Sequence, residues 1–436
     1  MRKETSRLFL TTLFFLTITL PSFGQRLAES AQRSIEGATA PIPGAKLDLT
    51  APRSLRTAPQ LAGRSSAASS SNKSNPGGLP GILSVPNFSR SFSSRGQVWP
   101  FTMMGNDPAR GRRTEIPVRI IAVSLELQNE DLVTTTRVPV APFVRRTLNS
   151  PNFRESDYLS GKDIQYADAV QRAEFFSVMK KHWHTELSPV KIVDHVTIFV
   201  PRTTKALVKD DKGNVSEKEV QTYFTGPADD GSTFVVLLDQ FFDQAFFDTV
   251  ANAIGAGRLT TDALNIVLLP NTFLFSVDQG PQGTLTLGFH TFLFDDSVSP
   301  LPVWVTIFAS WISPGLFEAG IEDVTAFSHE ISEAINNPFL INSVPAWEFP
   351  GFPGICGGDM LEVADPVEAL NQESFPVTIR EDGRRFTFHP QIMALLPWFE
   401  DAVPSDALGG AYSFPDTTAL SSPAVPFGPL TCPKQQ

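Results

Sequence analysis

Cysteine is nearly missing from this 436-residue chain, which has two, Cys356 and Cys432. A metal centre built on thiolates is thereby excluded, and any transition-metal site must use histidine and carboxylate. Histidine is also sparse, at six residues. The chain lacks a G-x-S-x-G elbow, a phosphate-binding glycine loop and a cysteine nucleophile with a matching histidine, so serine, cysteine and nucleotide chemistries find no support. No internal repeat of fixed period is apparent. The apolar stretch from Leu301 to Phe317 is broken by Pro302 and Pro314. It reads as a buried strand followed by a loop rather than a membrane span.

At the N-terminus Arg2, Lys3 and Arg7 precede an apolar run from Leu8 to Leu20, and Ser22 and Gly24 stand just before Gln25. Residues 1–24 therefore read as a cleaved signal peptide, which implies a secreted or periplasmic location. The run is short for a membrane span, and no cysteine follows to carry a lipid. In an exported chain the two cysteines are expected to form a disulfide, worth about 4 kcal/mol in the chain-entropy model. Residues 25–112 are rich in Ser, Pro, Gly and Arg and show little apolar periodicity. They are expected to be a disordered basic linker or pro-segment.

The formal net charge of −11 is unevenly spread. Residues 25–114 hold 12 Lys and Arg against 4 Asp and Glu, whereas residues 115–436 hold 20 against 41. So acidic a main domain argues against nucleic acid or anionic lipid as its partner.

The segment Asp323 to Pro338, DVTAFSHEISEAINNP, carries the chemistry. Val324, Phe327, Ile331, Ala334 and Ile335 recur at helical spacing, Glu322 and Asp323 suit the positive N-terminal end, and Asn336, Asn337 and Pro338 supply a stop. On such a helix His329 and Glu333 lie one turn apart on one face, where an imidazole and a carboxylate can close on one cation. Glu330 between them is placed to polarise water, as the middle Glu does in the related HExxH arrangement. The alternative is that these polar residues are only the solvated face of an amphipathic helix. Catalytic zinc takes three protein ligands as a rule, so the downstream run GGDMLEVADPVEA is expected to supply a third, from Glu362 or Asp365.

Around this segment, IPVRIIAVSLEL from Ile116 reads as a strand, Gly161 to Lys181 as a helix, and HVTIFV at 195–200 as a strand. Asp210 to Asn214 reads as the turn of an exposed hairpin. A helix is expected from Ser232 to Gly255, its first residues being compatible with a strand as well. NIVLLP at 265–270, LTLGFHTFLF at 285–294 and VWVTIFA at 303–309 read as three strands before the motif helix. His182 and His184 would share a face if the chain is extended there, but a polar helix end is the preferred reading. His290, in an apolar strand, could orient a ligand or be an ordinary core histidine. His195 and His389 show no partner.

The order helix, strand, strand, strand, motif helix resembles that of the zincin metallopeptidases, in which an edge strand lines the substrate cleft beside the metal helix. A second resemblance, over roughly residues 285–370, is to the phosphate-induced, EXORDIUM-like secreted proteins of plants and their bacterial relatives. It rests on Gly288, Phe289 and His290, on His329, Glu330 and Glu333, on Asn337 and Pro338, and on Glu362, Val363, Ala364 and Asp365. That family implies secretion but no established activity. The combined expectation is an α+β, zincin-like domain over residues 115–436, with a mixed twisted sheet and an active-site helix. It would be a secreted zinc-dependent, peptidase-like hydrolase acting on a peptide or cell-wall substrate, another divalent metal replacing zinc if not zinc itself. In that reading His329, Glu333 and Glu362 or Asp365 are ligands, Glu330 is the general base and His290 supports them. The competing expectation is a catalytically silent extracellular binding protein with a structural metal or none.

Overall fold

Seven strands hydrogen-bond into one sheet in the computed structural model, which describes residues 81–433 apart from 159–162, 211–212, 318–319, 369, 371 and 382. Five of these strands make up its main body: β1 (Arg113–Gln128), β2 (His184–Val200), β3 (Leu264–Pro270), β4 (Gly288–Phe294) and β5 (Leu301–Trp311). β2, β1, β3 and β5 run side by side and parallel, with Val118 opposite Val190 and Leu264, and Asn265 opposite Thr306. β4 is antiparallel to β5, pairing His290 with Ile307. Two short strands, Ile82–Leu83 and Thr135–Val138, extend the ends of β5 and β1.

Both faces of this sheet are covered, which is why its strands read as unbroken apolar runs instead of alternating ones. Ile120, Ile266, Ile307 and Phe292 point to one face, where Phe327, Ile331, Ala334 and Ile335 of helix α3 (Thr325–Asn336) pack on them. Ile121, Val267, Phe308 and Phe289 point to the other face, against Phe242, Phe246, Val250 and Ala253 of helix α2 (Asp239–Gly255). The expectation of a mixed sheet with a motif helix is met at that level. Helices on both faces make the layering that of a mixed α/β sandwich rather than the segregated α+β arrangement. No helix among the described residues is long and apolar enough to cross a membrane.

Three local expectations are corrected, and a fourth is decided between its two alternatives. The expected linker over 25–112 is regular structure from residue 82 onward: Asn87–Ser94 and Gln97–Met104 form a hairpin, and Phe88, Phe101, Met103 and Met104 are buried in the main cores. The exposed Ser89, Ser91 and Ser93 alternate with Phe88, Arg90 and Phe92, and this masked the apolar side in a composition reading. Secondly, the helix expected over 161–181 is only Tyr166–Glu174 (α1). Thirdly, His182 and His184 do not end a helix. The buried Trp183 draws the chain back into the core, β2 starts at His184, and the His184 ring bonds Asp168 of α1 at 2.7 Å. Fourthly, the segment after Ser232 is first a strand, Thr233–Leu238, and becomes helical only at Asp239. The signal-peptide reading lies outside the described residues.

The disulfide is present: Cys356 and Cys432 are joined with Cα atoms 5.8 Å apart. It pins the C-terminal segment to the hairpin of Ser343–Glu348 and Cys356–Met360, beside the backbone bonds from Ala346 to Leu430 and from Glu348 to Val425.

Candidate metal centre

Every one of the twelve residues of α3 is buried, so His329, Glu330 and Glu333 are not the solvated face of a surface helix. The Glu333 carboxylate Oε2 lies 3.1 Å from His329 Nε2, as the one-turn spacing anticipates. Glu330 and Glu333 are three residues apart, which also places them on adjoining faces. The Glu330 carboxylate bends into the same space, 3.9 Å from His329 Nε2.

Across from the helix, the alternation of β4 sends Phe289 to the α2 face and His290 to the α3 face. His290 Nδ1 is 3.5 Å from Glu333 and 3.6 Å from Glu330, and its Nε2 is 3.7 Å from Glu362. Gly288, two residues earlier on the same strand face, makes room for Glu330: a Cβ there would sit 2.7 Å from the Glu330 side chain and 3.0 Å from the Phe308 carbonyl. The helix and strand therefore approach where both the glycine and the histidine are needed.

The remaining acids come from the segment after Met360. Leu361, Val363, Ala364 and Val367 are fully buried in the neighbouring core, and this anchoring turns Glu362 the opposite way, toward His290. Asp365–Val367 is a single 3₁₀ turn. Side chains three apart on such a turn lie one above the other, so Asp365 and Glu368 both turn to His329, Asp365 3.6 Å from its Nε2 and Glu368 3.6 Å from its Nδ1. Ligands sharing one ion at about 2.1 Å in tetrahedral geometry are about 3.4 Å apart. The separations here, 3.1 to 3.9 Å, are of that size.

Partners outside the cluster fix its geometry. The Gln391 amide nitrogen donates to the Ala364 carbonyl at 3.0 Å, which turns its Oε1 toward His329 Nδ1 at 3.0 Å. With Nδ1 the donor, His329 Nε2 carries its lone pair into the acids. Asn337 Nδ2 donates to Glu362 Oε1 at 3.0 Å, and the Ala364 backbone N–H donates to Glu333 Oε1 at 3.2 Å. Each leaves the carboxylate's other oxygen pointing inward. The inward atoms Glu362 Oε2, Glu330 Oε2 and His290 Nε2 are buried without a hydrogen-bond partner. Such a loss of hydration is expensive unless something else binds these atoms.

Excess acid shapes the protonation of the metal-free cluster. Burial opposes charging of His290 and His329, but the surrounding carboxylates, Glu362 foremost for His290 and Glu333 for His329, raise both well above the ordinary imidazole range. Burial lifts Glu362 to about 8 against the pull of His290, and lifts Asp365 well above its usual range with Glu333 and Glu368 adding to it. Burial also works against Glu333, but His329 and then His290 outweigh it and hold its carboxyl at about 2. Glu333 thus stays ionised between the two rings, while Glu362 and Asp365 are pushed toward their protonated forms.

All six candidate residues named from the sequence converge here. No family model matches the chain, and no curated protein or solved structure gives a significant match. The choice between Glu362 and Asp365 dissolves, because Glu362 serves His290 and Asp365 serves His329. Glu368 and Gln391 were missed. The spacing of Asp365 and Glu368 around Pro366 was a readable signal for the first, whereas Gln391 meets His329 across 62 residues of chain. His389, without an evident partner in the sequence, bonds Asp323 Oδ2 at 2.8 Å and approaches Glu322 at 3.1 Å at the start of α3.

Proposed function

We propose that the chain is an exported metal-dependent hydrolase of zincin-like design, acting on peptide bonds. The observation that carries this reading is the convergence of His290, His329, Glu330, Glu333, Glu362, Asp365 and Glu368 on one buried space, with Glu362 Oε2, Glu330 Oε2 and His290 Nε2 making no hydrogen bond there. His329, Glu333 and Asp365 would hold a divalent ion, zinc being suited to this mixture of imidazole and carboxylate. A cation there supplies Lewis acidity to the scissile carbonyl and acidifies water. Gln391 orients His329, the Ala364 N–H orients Glu333, and Glu330 takes the proton from the attacking water. The edge position of β4 favours a peptide. Its partner on one side is β5, no strand among the described residues pairs with its other edge, and an extended chain can add there by backbone hydrogen bonds.

A second reading, a structural metal in a non-catalytic binding protein, is favoured by burial. Each of the seven side chains belongs to a residue 7% exposed or less. Assay of the zinc-loaded chain against a broad peptide library separates the two. The hydrolase reading expects cleavage that Glu330→Gln abolishes while metal stays bound and that His329→Ala abolishes together with the metal. A metal-loaded wild type that cleaves nothing leaves the structural reading.

A further inference from the structure

The donor atoms do not form one shell around one point. They fall into groups whose atoms lie within 4.8 Å of one another: His290, Glu333 and Glu362 on the β4 side, and His329, Asp365 and Glu368 on the side of the 3₁₀ turn. The two groups share no residue. Glu333 sits between them, its Oε2 3.5 Å from His290 Nδ1 and 3.1 Å from His329 Nε2, and it also groups with His329 and Glu330. We propose that the centre takes two divalent cations, one held by His290 and Glu362 and one by His329, Asp365 and Glu368, with Glu333 bridging them. This rests on the reading of the cluster as a metal site and extends it to a second position.

Three observations carry it. Each group contains one imidazole and at least two carboxylate oxygens, the minimum of three protein ligands for a cation, once Glu333 is shared. The His290 side holds two buried polar atoms that make no hydrogen bond, His290 Nε2 and Glu362 Oε2, 3.7 Å apart, and a single ion at His329 would leave both without a ligand. The third is the place of Glu333: its Oε2 lies 3.5 Å from His290 Nδ1 and 3.1 Å from His329 Nε2, so one carboxylate reaches both positions. Carboxylate-bridged pairs about 3.5–4 Å apart are the usual form of two-metal hydrolytic sites. The other acidic group, Glu322, Asp323 and His389, lacks these features, being partly exposed with its ring bonded to Asp323.

The test is metal stoichiometry on the whole chain, loaded with zinc, dialysed and measured by elemental analysis. Two zinc ions per chain are expected, falling to one in His290→Asn with the His329 group intact. One zinc in the wild type overturns the second position and leaves the single-metal reading standing, whereas none overturns both. Should His290→Asn fail to fold, the manganese-loaded wild type decides. Its electron paramagnetic resonance spectrum should be that of an exchange-coupled pair, and the six-line signal of isolated ions overturns the proposal.

Discussion

At the scale of single residues the centre competes with protons for its metal, and the sign of that competition is fixed. His290, His329, Glu362 and Asp365 all have folded-state pKa values raised above their ordinary ones in the metal-free chain, Glu362 to about 8. The imidazole contribution to stability is complete below the unfolded value of 6.5 and is lost as pH rises through the raised folded value. The two acids act in the same direction, because charging a buried carboxylate becomes unfavourable above the unfolded values of 4.5 and 3.8. Glu333, depressed to about 2, works oppositely but only in strong acid. Metal binding expels these protons, so affinity rises with pH. The melting temperature gained on adding zinc should therefore grow from about pH 5.5 to about pH 8; thermal melts with and without zinc measure it, and a flat or falling gain contradicts the assignment. Gly288→Ala is a second test at this scale. Its Cβ meets the Glu330 side chain at 2.7 Å, so hydrolysis of peptides should fall by at least an order of magnitude, about 1.4 kcal/mol or more, while circular dichroism stays unchanged. Full activity in that variant would remove Glu330 from its role. His329 and Glu333 were readable because helical period places them without reference to anything distant. Glu368 and Gln391 were not, because a 3₁₀ turn and a contact across the fold put them there.

At the scale of elements the site depends on pieces far from it in sequence. Asn342 ties them together: its side-chain Nδ2 donates to the Asn336 carbonyl at the end of α3 and to the Thr102 carbonyl in the 87–104 hairpin, and its Oδ1 accepts from the Thr102 N–H. The hairpin buries Phe88, Phe101, Met103 and Met104. At about 1.5–3 kcal/mol each, these four contribute about 6–12 kcal/mol, comparable with the whole stability of a typical domain, about 5–15 kcal/mol. A chain starting at residue 81 should melt cooperatively near the full-length temperature, and one starting at residue 113 should not fold. Cooperative melting of the shorter chain would mean the hairpin is an accessory. The strands of the sheet were legible as apolar runs, yet this hairpin was not. Its sequence, NFSRSFSSRGQVWPFTMM, lies in a basic, Ser-rich context, and the apolar side is clear only once pairing register is known. The same limit misplaced the start of β2, where Trp183 rather than local propensity decides.

For the whole molecule, the disulfide closes the C-terminal segment onto the hairpin that leads into the acid-bearing turn. Cys356 and Cys432 are 76 residues apart, and removing the bond should cost about 4 kcal/mol in the chain-entropy model. A Cys356→Ser, Cys432→Ser double variant followed by urea titration measures this, and an unchanged midpoint would show that the tail is held by packing alone. The pairing was legible from the cysteine count together with the expectation of export. The layering was not, since an apolar-periodic helix does not reveal which face of a sheet it will cover. α2 and α3 take opposite faces because the inward residues of successive strands alternate between them. The fold thus places an imidazole on an edge strand, an HExxE helix under it and a turn of acids against both, an assembly whose excess buried charge calls for a cation. The most direct measurement is the metal content of the whole chain purified without chelator, before and after exposure to zinc. The account predicts bound divalent transition metal whose amount falls in His329→Ala and in Glu333→Gln; a folded wild type that contains no metal and takes up none would contradict it.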